Sequence, residues 1–214
     1  MTLVVNEIFH SIQGESLHAG RPCVFVRLTG CNLRCPYCDT AYAFKEGQSM
    51  GMDEILDRVG RFDCRLVEVT GGEPLVQDEA TDLITALLDK GYEVLLETNG
   101  SRPIDRVDPR CVRIVDIKCP GSGASEQMHW DNLNHLSSHD QLKFVISDRN
   151  DYEYAGTVIR RKPPQLEWDH LLFSPVRGAL APRELARWIL EDGLAVRLHL
   201  QLHGIIWPDV ERGV

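Results

Sequence analysis

Residues 22–40, PCVFVRLTGCNLRCPYCDT, decide how the rest of the chain is read. The first eight carry β-branched and aromatic residues in alternation, the pattern of a strand. Gly30 breaks the run, and Cys31, Cys35 and Cys38 follow within eight residues. A strand thus runs straight into a loop of potential metal ligands.

The same arrangement recurs on both sides. Residues 3–9, 65–70, 92–98, 112–118, 141–147, 171–174 and 195–202 read as further strands. Helical spacing appears at 53–59, 78–88, 151–161 and 182–191. Gly91 is placed to stop the second of these helices, and Pro163 and Pro164 follow the third. Strand–helix alternation predicts an α/β fold with a parallel sheet. A closed eightfold barrel needs about 250 residues. This chain of 214 yields about six units, so a partial, open (βα)6-type barrel is expected, with a flat doubly wound sheet as the alternative. Polar clusters follow nearly every strand: 30–40, 71–74, 99–100, 119–123, 148–150, 174–178 and 201–203. In parallel βα folds these positions share one rim, where sites are built.

Hydrophobic residues make up 43% and charged residues 26%, which suits a single domain spanning 1–214. The net charge of −9 includes no basic run, so a small-molecule substrate is expected rather than nucleic acid. No apolar stretch approaches the roughly 20 residues of a membrane span, and no basic-then-apolar leader opens the chain. Cytoplasm is the expected compartment. Seven cysteines, an odd number, favour metal or redox roles over disulfides.

A zinc site wants four tetrahedral ligands and usually a second CxxC pair, and Cys64, Cys111 and Cys119 are scattered singly. An ordinary ferredoxin cluster also takes four cysteines. Three thiolates on one loop suggest instead a cubane with one iron open to another ligand. Cys23 and the three scattered cysteines read as small buried hydrophobes.

The motif Cys31-x3-Cys35-x2-Cys38, with aromatic Tyr37, resembles the signature of the radical S-adenosylmethionine (SAM) superfamily. Gly71-Gly72-Glu73-Pro74 resembles its GGEP motif. More specifically, EIFHSIQGES (7–16), RLTGC (27–31), CDT (38–40), ETNG (97–100), DIKCPGSG (116–123) and QLH (201–203) with IWPD (206–209) resemble the 7-carboxy-7-deazaguanine synthase family across essentially the whole chain. The resemblance implies a radical SAM barrel with an N-terminal substrate segment 1–20 and a C-terminal tail 203–214. It implies a carbon–nitrogen lyase of queuosine and 7-deazapurine biosynthesis, a pathway that ends in tRNA modification. Such an enzyme converts 6-carboxy-5,6,7,8-tetrahydropterin to 7-carboxy-7-deazaguanine with ring contraction and loss of ammonia. Its [4Fe–4S] cluster, on Cys31, Cys35 and Cys38, cleaves SAM to a 5′-deoxyadenosyl radical that takes hydrogen from C6 and later returns it. An external reductant such as flavodoxin or ferredoxin and a homodimer are also implied.

By the same resemblance, Tyr37, Gly71, Gly72, Glu73, Glu97, Asn99 and Ser122 bind SAM. Gln13, Gly14, Glu15, Arg27 and His203 bind substrate, and Thr40 binds Mg2+. Chemistry agrees at several positions. Arg27 shares a strand face with Phe25 and Thr29, and a guanidinium there needs an anion, either a substrate carboxylate or an internal partner such as Glu7. Gln13 and Glu15 offer acceptors to the amidine-like edge of a pterin, although Glu15 also reads as a helix-start carboxylate. Thr40 reads equally as a capping residue, and His203 as a core histidine. Gly204 departs from the larger, often basic residue expected there. Within the superfamily the rival is an activating enzyme that installs a glycyl radical on a partner protein. Outside it, the rival is a non-catalytic iron–sulfur or zinc module.

Overall fold

In a computed structural model all 214 residues are described, and nine strands form one sheet. Strand β1 (Thr2–Ile12) pairs antiparallel with both β2 (Pro22–Leu28) and β3 (Gln48–Gly51). From β2 the sheet continues in parallel through β4 (Leu66–Gly71), β5 (Glu93–Thr98), β6 (Val112–Asp116), β7 (Gln141–Ile146), β8 (Leu171–Pro175) and the two-residue β9 (Arg197–Leu198). The edges β3 and β9 do not meet, so the barrel stays open.

Helices α1 (Met52–Val59), α2 (Ala80–Asp89), α4 (Arg149–Val158) and α5 (Pro182–Glu191) cover one face of the sheet, while α3 (Asn132–His135) is a single turn. Their buried stripes, Ile55 and Val59, Leu83 and Leu87, Tyr152 and Ala155, Leu185 and Ile189, pack on Val24, Val26, Val67, Val69, Leu96, Phe144 and Phe173 in one core. A doubly wound sheet would carry helices on both faces. Local chemistry sets their ends. Asp148 caps α4 by accepting from the Asp151 backbone N–H, Pro182 opens α5, and Gly91 stops α2 at a φ of +84°. No helix is long and apolar enough to cross a membrane.

The opposite, concave face holds a small apolar plug of Cys23, Phe25, Leu66, Leu95 and Ile114, with Phe9 stacked on Phe25 at 4.9 Å. Because side chains alternate along a strand, the next inward positions toward the carboxyl ends are Arg27, Glu68 and Thr70, Glu97, Asp116 and Lys143. On β2, β4, β5 and β6 the inward row thus runs from apolar to polar or charged as it nears the rim.

Two features differ from the sequence expectation. The sheet is not wholly parallel, because β1 and the polar, weakly patterned β3 add an antiparallel edge. The strand expected over 195–202 shrinks to β9; His199 N–H still donates to Phe173 O at 2.9 Å, and beyond it the chain leaves the sheet, with Leu202 N–H donating to Gly14 O at 3.0 Å. Of the expected substrate segment 1–20, residues 2–12 are sheet strand, and the tail opens with the short α6 (His203–Ile206).

Candidate active site

One cavity of about 550 Å3 occupies the concave face beneath the rim, within the range of roughly 300–1,000 Å3 usual for ligand pockets. Its floor is ionic. Lys143 Nζ lies 2.6 Å from both Glu15 Oε2 and Glu97 Oε1 and 3.9 Å from Asp116 Oδ2, with its side chain 7% exposed. One ammonium cannot keep two buried carboxylates ionised. Glu15 also accepts from Gln201 Nε2 at 2.8 Å. Burial opposes its ionisation, yet Lys143, with smaller help from His199 and His203, holds the carboxyl far below its usual range. Glu97 is left the weaker partner. Burial pushes it up to about 8 against the pull of Lys143, with Glu15, Glu68 and Asp116 adding to the rise. Glu68 is pushed up to about 7 by burial and then by Glu15. Lys118 pairs with Asp116 at 2.6 Å. Lys143, Glu68, Asp116 and Lys118 were not singled out in the sequence.

The cysteine loop forms one wall. Cys31, Cys35 and Cys38 are unpaired, half-buried and face the cavity. Leu33 N–H points at Cys31 Sγ at 3.4 Å, and Asn99 Nδ2 lies 3.8 Å from the same sulfur. Burial raises the thiols of Cys35 and Cys38, with Lys118 acting against it at both. Gly71 and Gly72 have a packing reason for lacking a side chain. A Cβ on Gly71 would stand 2.4 Å from Leu28 O, and one on Gly72 would stand 2.3 Å from Gly30 O and 2.7 Å from Cys31 Cβ. The two glycines seat the end of β4 against the cysteine loop.

Two expected SAM contacts lie elsewhere. Glu73 has no exposed surface and does not line the cavity. Its carboxylate accepts from Leu75 N–H at 3.0 Å, Thr98 Oγ1 at 2.9 Å and Asn99 N–H at 2.6 Å, tying the β4 and β5 ends together. Ser122 is likewise buried outside the cavity, its hydroxyl donating to Cys119 O at 2.6 Å and accepting from Ala124 N–H. Tyr37, Gly71, Gly72, Glu97 and Asn99 do line the cavity.

At the mouth the structure gathers Gln13, Gly14, Glu15, Arg27, Thr40 and His203. Arg27 Nε is taken by Glu7 at 2.8 Å, the internal partner foreseen for it, and the guanidinium lies between the Phe9 and Tyr42 rings at 5.7 and 5.8 Å. Its two Nη groups make no hydrogen bond to protein and border the cavity. Thr40 stands at the N-cap of the short turn 41–44, but its hydroxyl makes no capping bond and donates instead to Asp39 Oδ1 at 2.8 Å. His203 is not in the core, being about a third exposed with Nε2 4.0 Å from Asp39 Oδ2. A Cβ on Gly14 would lie 2.6 Å from His203 Nδ1, so only glycine lets the two segments meet. Ser16, at a φ of 64°, turns the chain just after Glu15. At Gly204, the place of the expected basic residue is bordered by Arg177, whose Nη1 would lie 3.2 Å from a Cβ there. Arg177 donates to Pro208 O at 3.1 Å and lines the cavity with Trp207 and Val210.

The donor set fits the expected groups. No cluster of three or more Cys, His, Asp or Glu converges on a single-ion position. Three thiols on one cavity-facing loop are a soft donor set suited to iron–sulfur ligation, and a metal charge would hold the raised thiols of Cys35 and Cys38 as thiolates. Tyr37 OH and Asp116 Oδ1 are buried at the cavity wall with no protein partner, and a polar ligand there would satisfy them. Thr40 and Asp39 are adjacent hard oxygens, as Mg2+ prefers.

An open parallel half-barrel with a three-cysteine loop at its carboxyl rim defines a radical SAM protein, and the model of the radical SAM superfamily matches residues 25–110. Proteins named 7-carboxy-7-deazaguanine synthase match at nearly full length. The one from Koribacter versatilis is 46% identical, over 98% of this chain and 99% of its own, and that from Chlorobaculum tepidum is 48% identical, over 99% and 97%. The chain belongs to the 7-carboxy-7-deazaguanine synthase family. These matches go with the pterin reading rather than with the glycyl-radical activating enzyme. The crystal structure of QueE from Escherichia coli shares the fold, with a TM-score of 0.79 over 94% of each chain at 22% identity. Streptococcus suis SuiB bound to S-adenosylmethionine aligns over 80% of this chain and 45% of its own, with a TM-score of 0.51 at 10% identity.

Proposed function

We propose that this chain converts 6-carboxy-5,6,7,8-tetrahydropterin to 7-carboxy-7-deazaguanine, a carbon–nitrogen lyase reaction that contracts a ring and releases ammonia. The observation that carries the reading is the pairing of the free Arg27 Nη groups with an acid-rich floor in one cavity beside the cysteine loop. A substrate with a carboxylate at one end and N–H groups at the other is complementary to both.

Cys31, Cys35 and Cys38 would hold the [4Fe–4S] cluster, with SAM bordered by Tyr37, Gly71, Gly72 and Asn99. When bound, cluster and SAM supply hydrogen abstraction from C6 and its return. The chain's own residues position the substrate. Arg27 presents a planar fork to the carboxylate, held in orientation by Glu7 and two aromatic rings. Thr40 and Asp39 lie beside that end and would hold Mg2+. Lys143 keeps Glu15 ionised while burial leaves Glu97 largely neutral against the pull of Lys143, so the floor carries little net charge before substrate enters. His203, Trp207 and Val210 line the mouth. Lys118, beside the cysteine loop, offsets the negative charge of its thiolates. The reading includes a homodimer in the cytoplasm and an external one-electron donor of the flavodoxin or ferredoxin kind.

The test is anaerobic incubation of reconstituted protein with reductant, SAM, Mg2+ and the carboxytetrahydropterin. Mass spectrometry should find 7-carboxy-7-deazaguanine, with SAM not consumed in proportion to product. Cleavage of SAM with no deazapurine formed would overturn the reading.

A further inference from the structure

The two side chains expected to read the pyrimidine edge are already spent inside the protein. Gln13 Nε2 donates to Glu68 Oε2, and its Oε1 accepts from Glu15 N–H at 2.8 Å. Glu15 gives one oxygen to Lys143 and the other to Gln201. On the floor below them stands a carboxyl with an oxygen to spare. Glu68 is 6% exposed and lines the cavity, Gln13 occupies Oε2, and Oε1 has no protein partner. Its place in the sheet is also suited to a flat ring. Glu68 is level with Phe25, and Arg27 is level with Thr70, two rungs higher. Two rungs are about 6.6 Å, a spacing that suits the long axis of a two-ring heterocycle held by its carboxylate at Arg27. Phe25, backed by Phe9, offers that ring an aromatic floor.

We propose that Glu68 is the specificity-determining carboxylate of the site, accepting the ring N–H and exocyclic amine of the pterin's pyrimidine edge while Arg27 holds the opposite end. The assignment rests on the pterin reading of the cavity. With Oε2 held by Gln13, the spare Oε1 accepts both donors through its two lone pairs, and a ligand lacking one donor leaves a buried acceptor short and is discriminated against. Glu97 is the poorer candidate, because its partner is the charged Lys143 ammonium, which competes with a ligand's N–H donors, whereas Glu68 is held only by a neutral amide.

The groups facing Glu68 are Glu15 from the loop after β1, Cys23 and Arg27 from β2, Glu97 from β5, Cys111 just before β6 and Lys143 from β7. In that setting burial, then Glu15, leaves Glu68 half neutral near pH 7. N–H donors prefer the ionised form, so pterin affinity should tighten as pH rises from 6 to 8 and then level off.

The experiment is equilibrium binding of the carboxytetrahydropterin, and of its analogue lacking the exocyclic amine, to anaerobically reconstituted protein. The wild type should prefer the natural ligand by at least tenfold. E68Q, which still accepts from Gln13, should lose at least tenfold for that ligand, no more than about twofold for the analogue, and the pH dependence. E68Q binding within twofold of wild type overturns the inference. If E68Q fails to fold, wild-type discrimination below threefold between the two ligands overturns it as well. Strong discrimination by a protein that makes no deazapurine supports the Glu68 contact and sinks the reaction. Turnover without discrimination does the reverse.

Discussion

Replacing Lys143 by Met keeps a long side chain of similar size and removes the charge from the centre of the floor. In the wild type that ammonium stands 2.6 Å from Glu15, 2.6 Å from Glu97 and 3.9 Å from Asp116, all largely buried. Glu97, pushed up to about 8, is mostly neutral at pH 7 and loses little. Glu15 loses the partner that outweighs its burial. Breaking a buried pair from one side costs about 3–5 kcal/mol. At about 2–4 °C per kcal/mol for a chain of this size, the melting temperature at pH 7 should fall by roughly 6–20 °C. The pH dependence tests the cause. Wild-type Glu15, with its folded value lowered, adds stability that is present above its ordinary 4.5 and lost as pH falls through the lower folded value. In Lys143→Met, burial alone acts on Glu15, its folded value rises, and the penalty is relieved as pH falls toward 5. Calorimetric melting of both proteins at pH 5 and 7 reads both effects. A loss under 1 kcal/mol at pH 7, or the same loss at both pH values, would refute the ionic account of the floor.

Arg27→Ala should weaken pterin binding by more than tenfold with SAM binding unchanged, and Arg27→Lys should restore only part of it; titration of each ligand separately checks this. Thr40→Val should slow turnover and blunt its recovery by Mg2+ after chelation, while the cluster spectrum stays normal. An unchanged rate and metal response would remove Thr40 from the site. Gly72→Ala forces a Cβ to within 2.3 Å of Gly30 O, so iron bound per chain should fall severalfold while far-ultraviolet dichroism shows the sheet intact. Cys31→Ala, Cys35→Ala and Cys38→Ala should each abolish SAM cleavage, whereas Cys64→Ala and Cys111→Ala should retain iron.

The strands, the helices on one face and the cysteine loop were legible because each is a local pattern: alternation, helical spacing, and three ligands in eight residues. Arg27 stood out as a charge inside an apolar run. The same signal was present in RLVEVT (65–70), QLKFVI (141–146) and VRIVDI (112–117), where Glu68, Lys143 and Asp116 interrupt runs buried on both faces. It was missed because a lone charge in a strand also reads as an ordinary outward residue, and only the register with Arg27 shows that these point inward. Glu73 shows what a motif leaves open. The motif identified a glutamate that matters, but a motif gives no direction, and the carboxylate turns toward three donors of the protein rather than toward the cavity. The fate of residues 199–202 was hidden for another reason. The partners of Gln201 and Leu202, Glu15 and Gly14, lie at the other end of the chain.

That long-range closure also sets an order of assembly. The cysteine loop, the glycines that seat it and the β5 end that braces it lie within residues 28–101, and their contacts form as soon as the first parallel strands pair. The mouth is joined by Gln201 to Glu15 across 186 positions and by Leu202 to Gly14. Contacts so distant in sequence carry a late entropic cost of loop closure, and on the ribosome they must wait for the last residues to emerge. The seat of the cysteines, which Ala124 and Met128 complete, therefore draws on less of the chain than the pocket above it, whose mouth closes only with the last strand and tail.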